Sequence, residues 1–130
     1  MLIDNNYCFA CGSKNPDGLK LEFKYSEDNS KVETIYTPPE KFQGWKGIVH
    51  GGIIITLLDE VMAKAAIIKG HHILTAEITT RFKSPAKTLE PLRCEAEVEA
   101  EKKKLLYVKG TAYNKEGGII AEARSKMIIT

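Results

Sequence analysis

The sequence predicts an α+β domain in which an antiparallel sheet of about six strands wraps one long central helix. Two observations carry this prediction. Apolar and polar residues alternate over four long segments in the second half of the chain, as they do in strands with one buried face. One earlier segment has Ile, Leu, Val, Met and Ala on nearly every side, which indicates a helix buried all round. A curved sheet that wraps the helix satisfies both patterns.

Length and composition bound the kind of protein. The 130 residues fit a single domain, residues 1–130, and 43% hydrophobic with 28% charged residues is typical of an ordinary globular protein. A net charge of +2 gives no support to nucleic-acid binding. The longest largely apolar run, residues 53–58, is too short to cross a bilayer, and the N-terminus lacks the features of a signal peptide. We therefore expect a cytoplasmic protein with no nucleic-acid or membrane partner.

Residues 1–18 are predicted to form an irregular, turn-rich lead-in. It carries the CxxC motif Cys8 to Gly12, followed by Asn15 to Gly18, whose residue types favour turns. A CxxC turn can hold two zinc ligands, but Cys94 and the three histidines offer no second pair at ligand spacing. We interpret the motif as a tight turn with small, reduced thiols and expect no metal site, with a zinc or nucleic-acid module as the weaker alternative.

The elements that follow are predicted in order. Alternation over residues 19–25, a turn at 28–30 and a strand at 32–37 indicate a hairpin, which ends at Pro38. The loop of residues 40–50 carries Trp45, which either covers a site or contacts a partner, or else plugs the edge of the core.

The central helix is predicted from Gly51 to about Lys69, with Gly70 as its C-cap signal. Four strands come after it, at 73–82, about 92–102, 105–113 and 119–129. Turn signals lie between successive strands, at Ser84-Pro85, 102–104 and 116–118. They predict that each of these strands lies antiparallel to the next through a short connection.

The start of the helix is the most informative segment. Gly51 and Gly52 follow His50, and a helix start offers unpaired N–H groups and a partial positive charge to a carbonyl oxygen or an anion. Two acids, Asp59 and Glu60, lie further along in otherwise apolar surroundings. The segment therefore supplies a candidate oxyanion site and a candidate base.

The string Val49 to Gly52, with Asp59 nine residues after the histidine, resembles the hotdog-fold acyl-CoA thioesterases of the PaaI-like group. The element order, the segment from Thr75 to Pro85 and the lead-in motifs are also similar to this family, so the resemblance covers nearly the whole chain. It implies a hotdog fold and hydrolysis of an acyl-CoA thioester to a free acid and CoA. CoA would enter as part of the substrate, without a separate cofactor.

The resemblance also assigns roles to individual residues. Asp59 matches the family's general base or nucleophile, the backbone N–H of Gly51 its oxyanion donor, and Thr75 the hydroxyl that orients the water. His50 is the motif histidine, which shapes the turn or lies near the sulfur. Some members use an Asn six residues before that histidine, where this chain has Gly44, and we consider Gln43 as its substitute.

Further residues are candidates for substrate binding. The phosphates of CoA are bound best by cationic side chains. The candidates for this role lie around the turn after the strand that carries Thr75. Gly52 and Glu60 flank the proposed catalytic groups, although the position after Asp59 points about 100° away and suits a structural role for Glu60. The candidates around the turn are Arg81, Lys83, Ser84 and Lys87.

Spacing along the helix predicts an oligomer. Gly51 and Asp59 are eight residues apart, which is about 12 Å at the rise of an α-helix, so both cannot contact one carbonyl within a chain. The two groups must then come from different subunits of a symmetric homodimer. The resemblance agrees, because it implies active sites at dimer interfaces and frequent association of two dimers into a tetramer.

Three alternatives stay open. The chain could bind acyl-CoA as a non-catalytic sensor or carrier, since the loop Asn is missing. It could be a hotdog dehydratase, which the spacing between the His-Gly-Gly motif and Asp59 disfavours. Asp59 itself could be structural, pairing with Lys64 or bonding to a strand.

Overall fold

One α-helix lies against a six-stranded antiparallel sheet in the structure, a computed structural model that describes residues 2–130. Met1, the first residue of the predicted lead-in, lies outside the described residues. The sheet order is β1-β2-β4-β5-β6-β3, which confirms the predicted α+β class. The elements are β1 (Lys24–Tyr25), β2 (Val32–Tyr36), a 3-10 turn (Glu40–Phe42), α1 (Gly51–Ile67), β3 (Ile73–Phe82), β4 (Leu92–Lys102), β5 (Leu105–Tyr113) and β6 (Ile119–Ile129).

The core lies between α1 and the inner face of the sheet. The buried residues of α1 are apolar and face the strands: Ile54, Leu57, Leu58, Val61, Met62, Ala65 and Ala66. The prediction of a helix buried all round is wrong for the single chain. Thr56 and Asp59 are only partly buried and Ile67 is 46% exposed, because one sheet covers only one side of a helix. Within residues 2–130 no helix combines the length and apolar character needed to cross a bilayer.

The four long strands have the predicted bounds, but one predicted pairing is wrong. β4 pairs with β5 and β5 with β6 through short connections, as expected. β3 does not pair with β4 and instead forms the edge of the sheet beside β6. The N–H groups of Lys83 and Ser84 donate to the Ile120 carbonyl, and Leu89 N–H reaches the Pro38 carbonyl at 2.8 Å. The connection at Ser84-Pro85 therefore crosses one end of the sheet and is not a hairpin turn.

The predicted strand over residues 19–25 is reduced to the two residues of β1. Leu19 and Leu21 are buried and donate their N–H groups to the carbonyls of Phe9 and Ala10 in the lead-in. Lys20 between them has φ +54°, which interrupts extended backbone. Residues 19–21 therefore form their backbone hydrogen bonds with the lead-in and not with a neighbouring strand, so the first strand is short.

A β-bulge in β3 sets which of its side chains face the helix. The pairing shifts between Thr75, opposite Met127, and Glu77, opposite Lys126. Thr75 and Ile78 are three residues apart and would face opposite sides of a regular strand. The extra residue of the bulge turns both toward the helix side of the sheet.

Candidate active site

The first component of the site is a hydrogen bond between α1 and β3. The Oγ1 hydroxyl of Thr75 donates to Oδ1 of Asp59 at 2.8 Å. Asp59 is partly buried and Thr75 is exposed, so the pair lies at the surface of the single chain. Oδ2 of Asp59 accepts no hydrogen bond from the described residues. The structure thus brings two of the predicted site residues together and leaves one carboxylate oxygen free for water or substrate.

The second component is the start of α1. His50 is the N-cap, and its Nδ1 accepts a hydrogen bond from the Gly52 N–H at 2.9 Å. A neutral imidazole that accepts at Nδ1 carries its proton on Nε2. The Gly51 N–H has no acceptor in the described part of the chain. Gly51 therefore offers a free N–H donor, whereas the N–H of Gly52 is already bonded to the capping His50 side chain.

In the loop of residues 40–50, here called the aromatic loop, Trp45 is 85% exposed. The interpretation of Trp45 as a plug at the edge of the core is therefore wrong. Gln43 Oε1 accepts from the Gly47 N–H at 3.0 Å and thereby closes this loop. The side chain of Gln43 keeps its amide N–H groups for other partners. Gly44, at the position of the family Asn, packs against His50, since a Cβ there would lie 3.5 Å from the His50 Cα.

Two depressions flank the helix start and share Trp45 and Gly51. One has a volume of about 420 Å³ and includes His50 in its wall. The other has a volume of about 550 Å³ and reaches Phe82. Phe82 is 49% exposed, and a Cβ at Gly51 would lie 3.4 Å from its Cζ. These open, mostly apolar depressions, with Gly51 and its free N–H donor in their walls, are a suitable place for a long, flexible substrate.

The residues predicted to bind CoA around the turn after β3 do not assemble at one place. Lys83 and Ser84 line the larger depression at the helix start, where the Ser84 hydroxyl donates to the Ile119 carbonyl at 2.8 Å. Arg81 lies opposite Glu122 and lines a groove on the outer face of the sheet. Lys87 is exposed and its backbone bridges to Ile48 of the aromatic loop. Arg81 is therefore not assembled with the helix start, whereas Lys83 is.

Glu60 lies in a different environment from Asp59. One of its carboxylate oxygens is 3.9 Å from the Lys64 Nζ, and its carboxylate lies within 4.8 Å of the Cys11 Sγ. Burial, and then this carboxylate, raise the pKa of the Cys11 thiol to about 12. Sequence reasoning missed the contact because 49 positions separate Cys11 and Glu60 and no local pattern joins them.

Gly51 and Asp59 remain apart within the chain. Both lie on the single helix α1, eight residues from each other, which keeps the Gly51 N–H and the carboxylate about 12 Å apart. The chain thus contains two half-sites, a donor at the start of α1 and a carboxylate held by Thr75 in its third turn.

Curated relatives share part of the sequence. The chain is 25% identical over 91 residues to acyl-coenzyme A thioesterase THEM4 of Xenopus laevis, covering 68% of this chain and 39% of that protein. It is 21% identical over 106 residues to acyl-coenzyme A thioesterase THEM5 of Homo sapiens, covering 82% and 43%. The chain thus spans less than half the length of these curated relatives.

Solved structures share the fold. A thioesterase superfamily protein superposes with a TM-score of 0.87 at 22% identity, over 96% of this chain and 61% of that one. The PaaI protein of the E. coli phenylacetic acid degradation operon gives 0.79 at 20% identity, over 86% and 80%. A hypothetical thioesterase of Streptococcus pneumoniae with coenzyme A gives 0.78 at 20% identity, over 85% of each chain. The predicted hotdog fold is confirmed by these superpositions.

The same S. pneumoniae protein has also been solved as two single alanine variants, one of an aspartate and one of a threonine 16 residues further along that chain. Residues 46–121 of the present chain, which run from the aromatic loop into β6, match the model of the family described as the thioesterase superfamily. This match covers more than half of the chain and includes both half-sites. The protein is a member of the thioesterase superfamily.

Proposed function

We propose that the protein hydrolyses acyl-CoA thioesters to a free acid and CoA, with Asp59 as the catalytic carboxylate. The observation that carries the proposal is the hydrogen bond of 2.8 Å from Thr75 to Asp59, which fixes one carboxylate oxygen and leaves the other free. The names of the curated relatives and the coenzyme A in the S. pneumoniae structure support the choice of substrate class.

The spacing of the two residues adds support. Asp59 and Thr75 are 16 residues apart, the same separation as the aspartate and the threonine replaced in the two S. pneumoniae variants. Both positions in the present chain lie in the segment that matches the family model. The pair is thus the natural choice for the carboxylate and the hydroxyl of the reaction.

In the proposed chemistry, Asp59 takes a proton from water, and the resulting hydroxide attacks the thioester carbonyl. The alternative is direct attack by the carboxylate, which gives an acyl anhydride that water then hydrolyses. In either route the C–S bond breaks, CoA leaves as a thiolate and a proton returns to it. Thr75 holds the carboxylate, and its oxygen lone pairs can accept a hydrogen bond from the water.

The oxyanion that forms needs a donor, and the unbonded N–H of Gly51 supports that role. Because Gly51 and Asp59 are about 12 Å apart on α1, we propose that the donor is Gly51 of the partner subunit. Two observations favour a dimer through this side of the molecule: β3 is an edge strand, and its Leu74 is 52% exposed. Two such dimers would form the expected tetramer.

The remaining predicted residues are proposed to bind substrate around the helix start. His50 caps the helix through Nδ1, and its Nε2–H is our candidate for a contact with the thioester sulfur. Lys83, at the rim of the larger depression, is our candidate for the CoA phosphates. No resident cofactor is assigned to the hydrolysis, since the carboxylate, hydroxyl and N–H donor supply its acid–base and electrostatic needs.

One observation favours a second candidate, an acyl-CoA-binding protein without turnover. The family's loop Asn is replaced by Gly44, which has no side-chain donor, and the Gln43 side chain is held within the loop by the Gly47 N–H, so the oxyanion site has one preset donor fewer. Binding would then persist while the barrier to hydrolysis stays high. Turnover and binding must therefore be measured separately.

The test is hydrolysis of a panel of acyl-CoAs that differ in chain length and aromaticity. The rate is measured from the release of the CoA thiol. Asp59→Asn should lower kcat by about 100-fold or more with little change in acyl-CoA binding, because it removes the base while keeping the shape. Asp17→Asn, an exposed aspartate in the lead-in, is the matched control and should keep wild-type rates. Equal rates for Asp59→Asn and wild type would contradict the proposal, and binding without turnover by the wild type would favour the second candidate.

A further inference from the structure

The CxxC turn of the lead-in is held in a fixed shape. The Gly12 N–H donates to the Cys8 carbonyl at 2.9 Å and closes the turn. A Cβ at position 12 would lie 2.4 Å from the Cys8 nitrogen and 2.6 Å from the Asn6 oxygen, so only glycine fits there. Two cysteines at this spacing, in a closed turn, are a common way to present two thiolates to one metal ion.

The turn packs on α1 so that a third ligand joins the two sulfurs. The Sγ atoms of Cys8 and Cys11 and a carboxylate oxygen of Glu60 all lie within 4.8 Å of one another. Tetrahedral zinc with Zn–S bonds of about 2.3 Å places two sulfurs about 3.8 Å apart. Small side-chain rotations, on the order of 1 Å at the ligand atoms, would therefore bring the three groups onto one ion.

The charges around the cluster also fit a divalent ion. Two thiolates and one carboxylate carry three negative charges, and a divalent cation leaves one in excess. Lys64, whose Nζ is 3.9 Å from Glu60, supplies the remaining positive charge. Such neutrality matters because Cys11 and Glu60 are both partly buried.

The open side of the cluster faces a groove of about 760 Å³ between the lead-in and the C-terminal half of α1. His71 and His72 line the same groove, but His71 is engaged with Glu101 at 3.2 Å. The fourth position on the ion is thus accessible to water or to a small exchangeable ligand.

We propose that Cys8, Cys11 and Glu60 form a zinc site with three protein ligands and one exchangeable position. The ion fastens the lead-in to α1 at the residue after Asp59. The ion orders the CxxC turn on the helix and takes no part in hydrolysis at Asp59. The expectation that the CxxC motif is a simple turn without metal is replaced by this proposal, on the basis of the Glu60 contact.

The test is titration of the reduced, chelator-treated protein with Co²⁺, whose visible and thiolate charge-transfer absorption reports tetrahedral sulfur ligation. We expect one equivalent of Co²⁺ to bind and Zn²⁺ to displace it. Cys8→Ser and Cys11→Ser should abolish the thiolate band, and Glu60→Gln should weaken affinity at least about tenfold. Cys94→Ser, which removes the buried third cysteine, and Asp59→Asn should both keep wild-type binding.

Zinc should also raise the midpoint of thermal unfolding of the wild type and of Asp59→Asn, but not of Cys8→Ser. Absence of a cobalt–thiolate band in protein with three free thiols would overturn the proposal. Unchanged affinity in Glu60→Gln would also overturn it, by showing that the carboxylate is not a ligand. A Cys8–Cys11 disulfide in protein purified without reductant would contradict it in favour of a redox pair.

Discussion

The hydroxyl of Thr75 donates to the carboxylate of Asp59 at 2.8 Å across the contact between β3 and α1. The β-bulge between Thr75 and Glu77 makes this bond possible, because a regular strand would point Thr75 away from the helix if Ile78 faced it. The bulge in β3 therefore positions the hydroxyl that orients Asp59, the proposed base.

Replacing Thr75 tests the positioning role of this hydroxyl. Thr75→Val keeps the shape and loses the hydrogen bond, and we expect a fall in kcat of about 10-fold to 100-fold, as for a hydrogen bond to a charged group. Thr75→Ser restores the hydroxyl and should recover most of the rate. Steady-state kinetics on the best acyl-CoA measure both variants. Equal activity of Thr75→Val and Thr75→Ser would contradict the role assigned to the hydroxyl.

His50 is predicted to stabilise the start of α1. Its Nδ1 accepts from the Gly52 N–H, so His50→Ala should lower the free energy of unfolding by about 1 kcal/mol. His50→Asn supplies another side-chain acceptor at the N-cap and should retain most of that stability. Urea unfolding of the two variants measures the difference. Equal losses in both would show that the cap bond contributes nothing.

Ser125 is a candidate for a stabilising substitution. Its hydroxyl is buried, with no hydrogen-bond partner among the described residues. Ser125→Ala removes an unsatisfied polar group and should raise the free energy of unfolding by about 1 kcal/mol. Thr34→Val is the matched control, because the buried Thr34 hydroxyl donates to the Glu22 carbonyl at 2.7 Å. The control should be destabilised, and a loss of stability in Ser125→Ala as well would indicate that Ser125 has a partner in the assembled protein.

Cys94 should make the fold sensitive to alkaline pH. Burial raises the pKa of its thiol from 9.0 to about 12, so the folded state holds the proton more tightly than the unfolded state. The stabilisation is complete below about pH 9 and is lost as the pH rises toward about 12. In that range, wild-type stability should fall more steeply than that of Cys94→Ala, by about 1.4 kcal/mol per pH unit. Parallel pH profiles from urea unfolding would contradict this assignment.

Much of the fold could be predicted from local patterns. Alternation in β4, where Cys94 and Ala96 face the core and the glutamates face outward, marks the long strands because burial imposes a period of two. The position of β3 in the sheet could not be predicted. A turn signal at Ser84-Pro85 does not reveal that β3 pairs with β6 and not with β4. That choice depends on long-range hydrogen bonds such as those to Ile120.

In the candidate site, too, the features with a local sequence pattern could be predicted and the long-range contacts could not. The glycine after His50 and the carboxylate at Asp59 were identifiable from their sequence context, because polar groups in an apolar helix need a partner. The contact of Cys11 with Glu60 was not, because it arises only when the lead-in folds back onto α1. The outward orientation of Arg81 likewise follows from the bulge in β3, which composition does not reveal.

The shared site is tested most directly by subunit complementation. Gly51→Pro removes the proposed oxyanion donor with little cost to the fold, since proline suits the first position of a helix. His50 has φ −59° and ψ 135°, a conformation that a following proline accepts. Gly51→Ala keeps the N–H and serves as the control. Gly51→Pro and Asp59→Asn should each be inactive as pure proteins.

Co-expression of Gly51→Pro and Asp59→Asn chains with different tags then gives mixed dimers. In each mixed dimer one site combines the intact Asp59 of one chain with the intact Gly51 of the other, so the thioesterase activity of a random mixture should return to about a quarter of the wild-type value. A site built within one chain would have one damaged component in every subunit. Mixed dimers without activity, at wild-type levels of assembly, would contradict the shared site.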